Sequence, residues 1–171
     1  MTYIADPLSR KQLRKLAMQI RELIGRENTL RFPVVVFLEH IMPLLFPGFY
    51  YDIVPEAEIG SKKHGEADVM NRCIRIREDV YYGAVAGNGR DRMTIAHEIA
   101  HYILFVGCEV SFARVFDDTP VPTCQDPEWQ AKALAGELMC PAHLVAPLSP
   151  AQIAGGCGVS LKAAKYQLSK C

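Results

Sequence analysis

Two histidines and one glutamate in the segment TIAHEIAHYIL have types and a spacing suited to metal chemistry. His97 and His101 are four residues apart, and Glu98 directly follows the first histidine. On an α-helix, four residues rotate a side chain by about 40° net and raise it by about 6 Å, so both imidazoles lie on one face. Imidazoles placed in this way can bind one tetrahedral cation at about 2.0–2.1 Å. The segment therefore predicts a metal-binding helix.

The glutamate gives this helix a chemical purpose. Glu98 lies about 100° around the helix from His97, beside the expected metal and not pointing at it. A carboxylate there can take a proton from a water on the metal and pass it to a leaving amine, the role of the glutamate in H-E-x-x-H. The alternative is a pair of hydrogen-bonded core histidines. We prefer the metal site, because two histidines and an acid among apolar neighbours need a polar function.

A catalytic zinc ion has three protein ligands and one open position, so a third donor is required. Glu128 and Glu137 lie on a later predicted helix. The buried face of that helix is predicted to comprise Ala131, Leu134, Ala135 and Leu138. At about 100° per residue, Glu128 lies about 70° from the centre of this face and Glu137 about 110°. We predict Glu128 at the rim of the site and Glu137 in solvent. His143 is an outside candidate, and the alternative for Glu128 is an acid favoured by the helix dipole.

Helices are predicted on both sides of this motif. Ser9 and Gln12 form a capping box for a first helix over residues 9–25. A second, mostly buried helix is predicted over residues 33–42, with Pro43 near its end. Asp126 and Pro127 start the helix that carries Glu128. On the first helix, the side chains predicted to lie in solvent are Arg10, Lys11, Arg14 and Arg21.

Short strands are predicted between the helical regions. YYDIV and NRCIRIRE are the strand candidates, and the alternation of the second is typical of a half-buried strand. The intervening EIGSKKHGEAD is interpreted as an exposed connection. Ser149 and Pro150 start a short helical hairpin that restarts at Ser160. We expect an α+β fold, in which helices surround a small, mostly antiparallel sheet and residues 1–148 form one domain carrying the hairpin of residues 149–171.

Composition limits the possible classes of function. The chain has 171 residues, of which 50% are hydrophobic, and its 19 basic residues balance 19 acidic ones. Such a chain can bury one sizeable core, and its overall charge attracts neither nucleic acid nor an anionic membrane. Its six cysteines are scattered singly, which is typical of free thiols in a reducing compartment. With no recognisable signal peptide or membrane span, we expect a cytoplasmic protein.

The sequence resembles the ImmA/IrrE family of metallopeptidases in two central motifs. RDRMTIAHEIAHYIL is similar to the family's arginine-flanked T-x-A-H-E-x-x-H segment, and EWQAKALAGELMCP is similar to its E-x-x-A…A-x-x-L-x-x-P helix. The flanking IRIREDVY and GVSLKAAKYQL also look like the family. This resemblance implies a zincin-like active-site helix and one zinc per chain, bound by His97, His101 and a gluzincin-like Glu128, with Glu98 as the catalytic base. It further implies a cytoplasmic endopeptidase that cleaves a protein, typically a helix-turn-helix transcriptional repressor.

The sequence departs from the family pattern at three positions. Ala100 replaces a usual glycine, Phe105 replaces a common histidine, and Lys132 replaces a typical Asn or Asp. The first two leave the inferred ligands in place. Lys132 lies one helical turn after Glu128, so its charge could alter metal affinity or substrate choice.

Other functions and contacts are also considered. The hairpin has a helix-turn-helix-like pattern, but its second part carries Lys162, Lys165 and Lys170 and no arginine to bind guanine edges. A packing role is therefore favoured over DNA binding, and a non-catalytic regulator that keeps the zinc fold is the other alternative.

An extended substrate could pair with NRCIRIRE, where Arg75 and Arg77 would meet acidic side chains or would be ordinary solvated charges. Three tyrosines are candidates to stabilise an oxyanion, namely Tyr81, Tyr82 and Tyr102.

Overall fold

The computed structural model describes residues 2–108, 112–115 and 120–171. They form an α+β structure, which confirms the predicted class. The strands are β1 (Thr2–Ala5), β2 (Tyr50–Val54), β3 (Gly65–Asp68), β4 (Cys73–Arg77) and β5 (Phe112–Val115). The α-helices are α1 (Arg10–Leu23), α2 (Val34–Val36), α3 (Met42–Leu45), α4 (Glu56–Ile59), α5 (Glu78–Val85), α6 (Gly89–Tyr102), α7 (Pro127–Met139), α8 (Ala142–Val145), α9 (Pro150–Cys157) and α10 (Leu161–Leu168). None of the helices described is long and apolar enough to cross a bilayer.

Side chains cap α1 and α7 at the predicted positions. Ser9 Oγ accepts the backbone N–H of Gln12 at 3.2 Å, and the Gln12 side chain accepts the Ser9 N–H at 2.8 Å. Asp126 accepts the N–H of Glu128 at 2.9 Å, and Pro127 occupies the first position of α7. These bonds satisfy donors that have no partner within a helix's first turn. Both predicted starting points are confirmed.

The helix expected over residues 33–42 is longer and less regular than predicted. Helix α2 continues through a π-helical turn at Phe37–Ile41 into α3, which ends at Leu45. A proline ring normally collides with the carbonyl one turn earlier. The wider turn gives Pro43 room, so the helix passes the residue that was expected to end it.

A three-stranded sheet lies beside the motif helix in the order β2–β4–β3. Strand β4 pairs in parallel with β2 and antiparallel with β3, where Gly65 lies opposite Ile76 and Ala67 opposite Ile74. Strands β1 and β5 form a separate antiparallel pair. Two of the three strand pairs within the described residues are therefore antiparallel.

The segment expected to be an exposed connection is exposed at residues 60–63, but it begins with the end of α4 and closes with β3, so the expectation was only partly right. Strand β4 is also more buried than the half-buried strand that was expected, because helices and both neighbouring strands cover it. Cys73, Ile74, Ile76 and Arg77 are all buried there. As the central strand, β4 has no free edge, and β3 forms the edge of the sheet beside α6.

The core joins α1, α6 and α7 to the inner face of the sheet. Its fully buried side chains include Leu13, Ile74, Ile95, Ile99 and Leu134. Burying an aliphatic side chain of this size contributes about 1.5–3 kcal/mol. The core therefore fixes the relative positions of α6 and α7, the two helices that carry the chemically interesting residues.

Arg21 and Glu137 are buried, contrary to the expectation that both would lie in solvent. Arg21 is fully buried and donates four hydrogen bonds of 2.6–3.0 Å to backbone carbonyls. Glu137 is 1% exposed and pairs with Arg10 at 3.0 Å and Arg14 at 3.1 Å. The side chains of α1 thus serve as internal partners for α7, which the periodicity of α1 alone could not reveal.

The predicted helical hairpin consists of α9 and α10, and it packs against the rest of the protein. Ser149 and Ser160 cap the two helices as expected. A Cβ on Gly89 would lie 2.5 Å from the carbonyl carbon of Val159, so the start of α6 can approach the hairpin only as glycine. Gln167 is buried and donates to the Cys140 carbonyl at 3.1 Å, which ties α10 to the end of α7.

Candidate active site

Helix α6 is held in place by bonds at its first turn. Asn88 accepts two backbone N–H bonds there, at 3.0 and 3.1 Å. Arg92 is buried and donates to the carbonyls of Gly158 at 3.0 Å and Phe32 at 2.8 Å. This arrangement directs one face of α6 toward the core and leaves the face with His97 and His101 half-buried at a cleft.

Helix α7 packs along α6 through small and aliphatic side chains. Ala131, Leu134 and Ala135 are at most 1% exposed. With these residues buried, the first turn of α7 lies beside the histidine face of α6. Glu128 is in that turn, with its side chain 72% exposed.

The structure brings His97, His101 and Glu128 together. The Nε2 atoms of the two histidines are 3.0 Å apart, His97 Nε2 is 3.1 Å from Glu128 Oε2, and His101 Nε2 is 3.2 Å from Glu128 Oε1. Ligands about 2.05 Å from a tetrahedral zinc ion lie about 3.3 Å from one another. The three donors therefore have nearly the spacing that such an ion requires.

Two members of this group, Glu128 and His101, have shifted pKa values. Hydrogen bonds from His101 and His97 hold the pKa of Glu128 well below its usual range. Burial lowers the pKa of His101, but the hydrogen bond and charge of Glu128 outweigh it, so that the pKa is raised overall. Glu128 is thus a carboxylate at neutral pH, which is the form that binds a metal ion.

Glu98 lies on the adjacent side of α6, beneath β3. A Cβ on Gly65 would lie 2.9 Å from Glu98 Cγ, so the strand and this side chain are in close contact. Burial raises the pKa of Glu98, while the charges of His97 and His101 and the backbone of Ala67 oppose the rise. A carboxylate whose pKa is moved toward neutrality is better matched to proton transfer.

Two clefts meet at this helix face, and His97 and Glu98 line both. His64, Gly65 and Ala67 also line them, although the sequence interpretation included none of these residues in the site. The sequence signal for a strand here was weak, since only Ala67 and Val69 alternate with the acidic Glu66 and Asp68. Glycine and aspartate are both depleted in strands, which concealed the edge strand.

The arginines proposed as substrate contacts are engaged elsewhere. Arg75 pairs with Glu58 at 3.3 Å. Arg77 pairs with Asp79 at 2.6 Å and with Glu56 at 3.5 Å. Neither arginine lines the two clefts, and β4 has partners on both sides. The expectation that β4 offers an edge to substrate was wrong, because β3 occupies that edge.

The remaining candidates also lie outside the cluster. Glu137 pairs with α1, and His143 lies 2.9 Å from the Glu27 carbonyl. Tyr81 donates a short hydrogen bond to Glu39, and Tyr102 packs edge-on against Phe46 and Phe49. Tyr82 is largely exposed. None of the three tyrosines lines either cleft.

The three departures from the family pattern have different surroundings. Ala100 is fully buried in the core, and Phe105 lines the cleft beside His101. Lys132 lines the other cleft together with His97 and Glu98. None of these residues belongs to the group of three donors, but Lys132 places a positive charge close to it.

Comparison with known protein families places most of the chain in a peptidase family. Residues 56–169 match the model of a peptidase family, described as the IrrE N-terminal-like domain. The match includes α6, α7, β3 and the hairpin. Comparison with curated proteins gives no match. Because the family match covers well over half of the 171 residues, the chain belongs to the metallopeptidase family of the IrrE N-terminal-like domain.

Proposed function

We propose that this protein is a zinc-dependent endopeptidase in which His97, His101 and Glu128 bind the metal and Glu98 is the catalytic base. The convergence of two imidazole nitrogens and one carboxylate within 3.0–3.2 Å of one another carries the proposal. Two nitrogens and one oxygen in a tetrahedral arrangement suit zinc. When bound, zinc polarises a carbonyl oxygen and lowers the pKa of water.

Glu98 is positioned to hold and move protons in this reaction. It lies next to His97 on α6 but does not belong to the group of three donors. Its carboxylate can accept the proton of an attacking water and deliver it to the leaving amine. Burial and the contact with Gly65 restrict the side chain to the region between β3 and the histidines.

The edge of β3 offers a place for an extended peptide. The Arg77 N–H donates to the His64 carbonyl at 3.1 Å, so the main-chain groups of His64 face β4. Because this direction alternates along an antiparallel strand, the main-chain groups of Gly65 and Ala67 face away from β4. A substrate could add as a further strand there, with its scissile bond next to Glu98.

The resemblance described above suggests the identity of the substrate and the setting. We propose a helix-turn-helix transcriptional repressor as the protein cleaved, in the cytoplasm. We also propose that residues 1–148 form the peptidase domain and that the hairpin of residues 149–171 packs on it. Contacts of Gln167 with Cys140 and of Val159 with Gly89 support the second proposal.

Metal content is the direct test of the ligand set. We expect one zinc per chain in the wild type and a loss of zinc in His97→Ala, His101→Ala and Glu128→Ala, because each change removes one of three donors. Elemental analysis after dialysis measures this. His143→Ala is the matched control, since His143 lies beside the Glu27 carbonyl, outside the cluster. Full zinc occupancy in Glu128→Ala would assign the third ligand to another residue.

Gly65→Ala is expected to lower hydrolysis without unfolding the protein. The new Cβ would lie 2.9 Å from Glu98 Cγ and 3.1 Å from Ile76 Cδ1, so the Glu98 carboxylate must move. Misplacing a catalytic group by up to about 1 Å costs up to about 10²-fold in rate, and we expect a loss between about 3-fold and that value.

The rate of peptide cleavage and the melting temperature should be measured together for Gly65→Ala. Gly155→Ala provides the control, because a Cβ there meets no atom within 4 Å and alanine favours the helix. An unchanged rate in Gly65→Ala would mean that Glu98 need not hold its present position.

A further inference from the structure

The two clefts that meet at Glu98 differ in charge. The first, which we call the basic cleft, has a volume of about 510 Å³. Its apolar floor comprises Met93, Ala135 and Ala163, and its basic rim comprises Lys62, Arg90 and Lys132. The rim residues come from three parts of the chain. Lys62 is in the loop before β3, Arg90 is in the first turn of α6 and Lys132 is on α7. The basic cleft is therefore built from distant parts of the chain.

The rim cations have no acidic partner within the described residues. Lys63 also lines the basic cleft, but its ammonium pairs with Glu66 at 2.6 Å. Lys62, Arg90 and Lys132 form no such pair in the part of the chain that the structure describes, and all three are exposed. Among the residues that the structure describes, Glu98, the proposed base, is the only acidic one that lines the cleft. The rim therefore attracts negative charge.

The second cleft has no such rim of unpaired cations among the residues that the structure describes. It has a volume of about 930 Å³, and its carboxylates besides Glu98 are those of Glu66, of Asp126, which caps α7, and of Glu128, the proposed zinc ligand. Its one lysine is Lys63, which is paired with Glu66. A peptide that crosses Glu98 from one cleft to the other would meet unpaired cations only in the basic cleft, and complementary charge is a source of specificity.

The direction of β3 indicates which half of a peptide lies in the basic cleft. Lys62, Lys63 and His64 line this cleft before the strand begins, whereas Ala67 and Val69 line the second cleft near its end. Antiparallel pairing is the commoner geometry. An antiparallel peptide therefore runs from the Val69 end toward the Gly65 end, and its carboxyl-terminal half enters the basic cleft.

We propose that the basic cleft selects substrates with an acidic side chain on the carboxyl-terminal side of the scissile bond, through Lys132 and Arg90. This rests on the proposed peptidase function and specifies its substrate class. The apolar floor would hold an uncharged side chain while carboxylates meet the rim. The hairpin takes part as well, because Ser160 and Ala163 line this cleft.

The test begins with digestion of a peptide library by the zinc-loaded wild type, to locate the cut bonds. A cleaved peptide is then synthesised in two forms, with Glu or with Gln at the two positions after the cut. The Glu form should have the higher kcat/KM. In Arg90→Gln/Lys132→Gln the preference should fall by roughly 2- to 30-fold, the range expected for two exposed charge pairs. Lys165→Gln, exposed on α10 away from both clefts, should retain it.

A binding measurement distinguishes a failure of the charge assignment from a failure of the peptidase proposal. Should no peptide be cut, affinities are measured for labelled Glu-Glu and Gln-Gln forms of one leucine-containing peptide. Tighter binding of the acidic form by the wild type, but not by the double variant, would support the basic cleft and contradict hydrolysis.

Cleavage without an acidic preference, or with acids favoured before the cut, would overturn the charge assignment and leave the peptidase intact. Neither cleavage nor a difference in binding would overturn both proposals. Stronger binding of duplex DNA than of the acidic peptide would assign the rim to nucleic acid and overturn the inference.

Discussion

Glu98→Gln is expected to lower the rate of peptide hydrolysis by about 10²–10⁴-fold, the scale of general acid–base catalysis. Glutamine has nearly the same size as glutamate, so it should keep the packing against Gly65. It cannot accept a proton from the attacking water or return one to the leaving amine. Zinc content and melting temperature should therefore remain close to wild type, because Glu98 is not one of the three converging donors.

The measurement is the cleavage rate of a protein or library peptide that the zinc-loaded wild type cuts. Glu58→Gln is the matched control, because this exposed carboxylate pairs with Arg75 and lines neither cleft. Equal rates for wild type and Glu98→Gln would contradict the proposed mechanism. A repressor that both forms bind and neither cuts would favour a non-catalytic regulator.

Arg21→Met is expected to destabilise the protein by about 3–5 kcal/mol. Methionine keeps the apolar stem, but the carbonyls of Leu138, Thr29, Leu30 and Arg26 each lose a donor. An unsatisfied buried acceptor costs about 1–3 kcal/mol, and water can reach some of these groups once the guanidinium is gone. Burial lowers the pKa of Arg21 to about 10, so the group is charged at neutral pH.

Chemical denaturation of the metal-free protein measures this effect without a contribution from zinc binding. Lys15→Met serves as the control, since Lys15 is exposed on the same helix and surface changes usually stay within about 0.5 kcal/mol. A loss of less than about 1 kcal/mol in Arg21→Met would mean that the carbonyls find other partners.

Local patterns were sufficient to predict the helices that position the site. The caps at Ser9, Asp126, Ser149 and Ser160 depend only on residues within one turn, so the sequence reveals them directly. The spacing of His97 and His101 likewise fixes their common face on one helix. Glu128 was harder to identify, because its proximity to the histidines depends on how α6 and α7 pack.

The errors occurred where distant residues decide the outcome. Glu137 was expected in solvent because it lies about 110° from the centre of the buried face of its helix. Its partners Arg10 and Arg14 lie more than a hundred positions away in the chain, so the pattern of α7 does not reveal them. Strand β3 has little strand propensity of its own and forms because β4 and α6 provide partners. Because β3 forms the edge of the sheet, the strand available to pair with a substrate is β3, at Gly65 and Ala67, and not β4.

Because distant parts of the chain build the basic cleft, the order of synthesis determines when the cleft is complete. His97 leaves the ribosome 31 residues before Glu128, and Ser160, which lines the basic cleft, follows later still. Chains fold as they emerge, at about 5–20 residues per second. An incomplete chain can display the histidine pair but lacks the third donor and the hairpin wall. The proposed site can therefore be complete only once synthesis has passed Ser160, and a shorter nascent chain is not expected to cleave peptides.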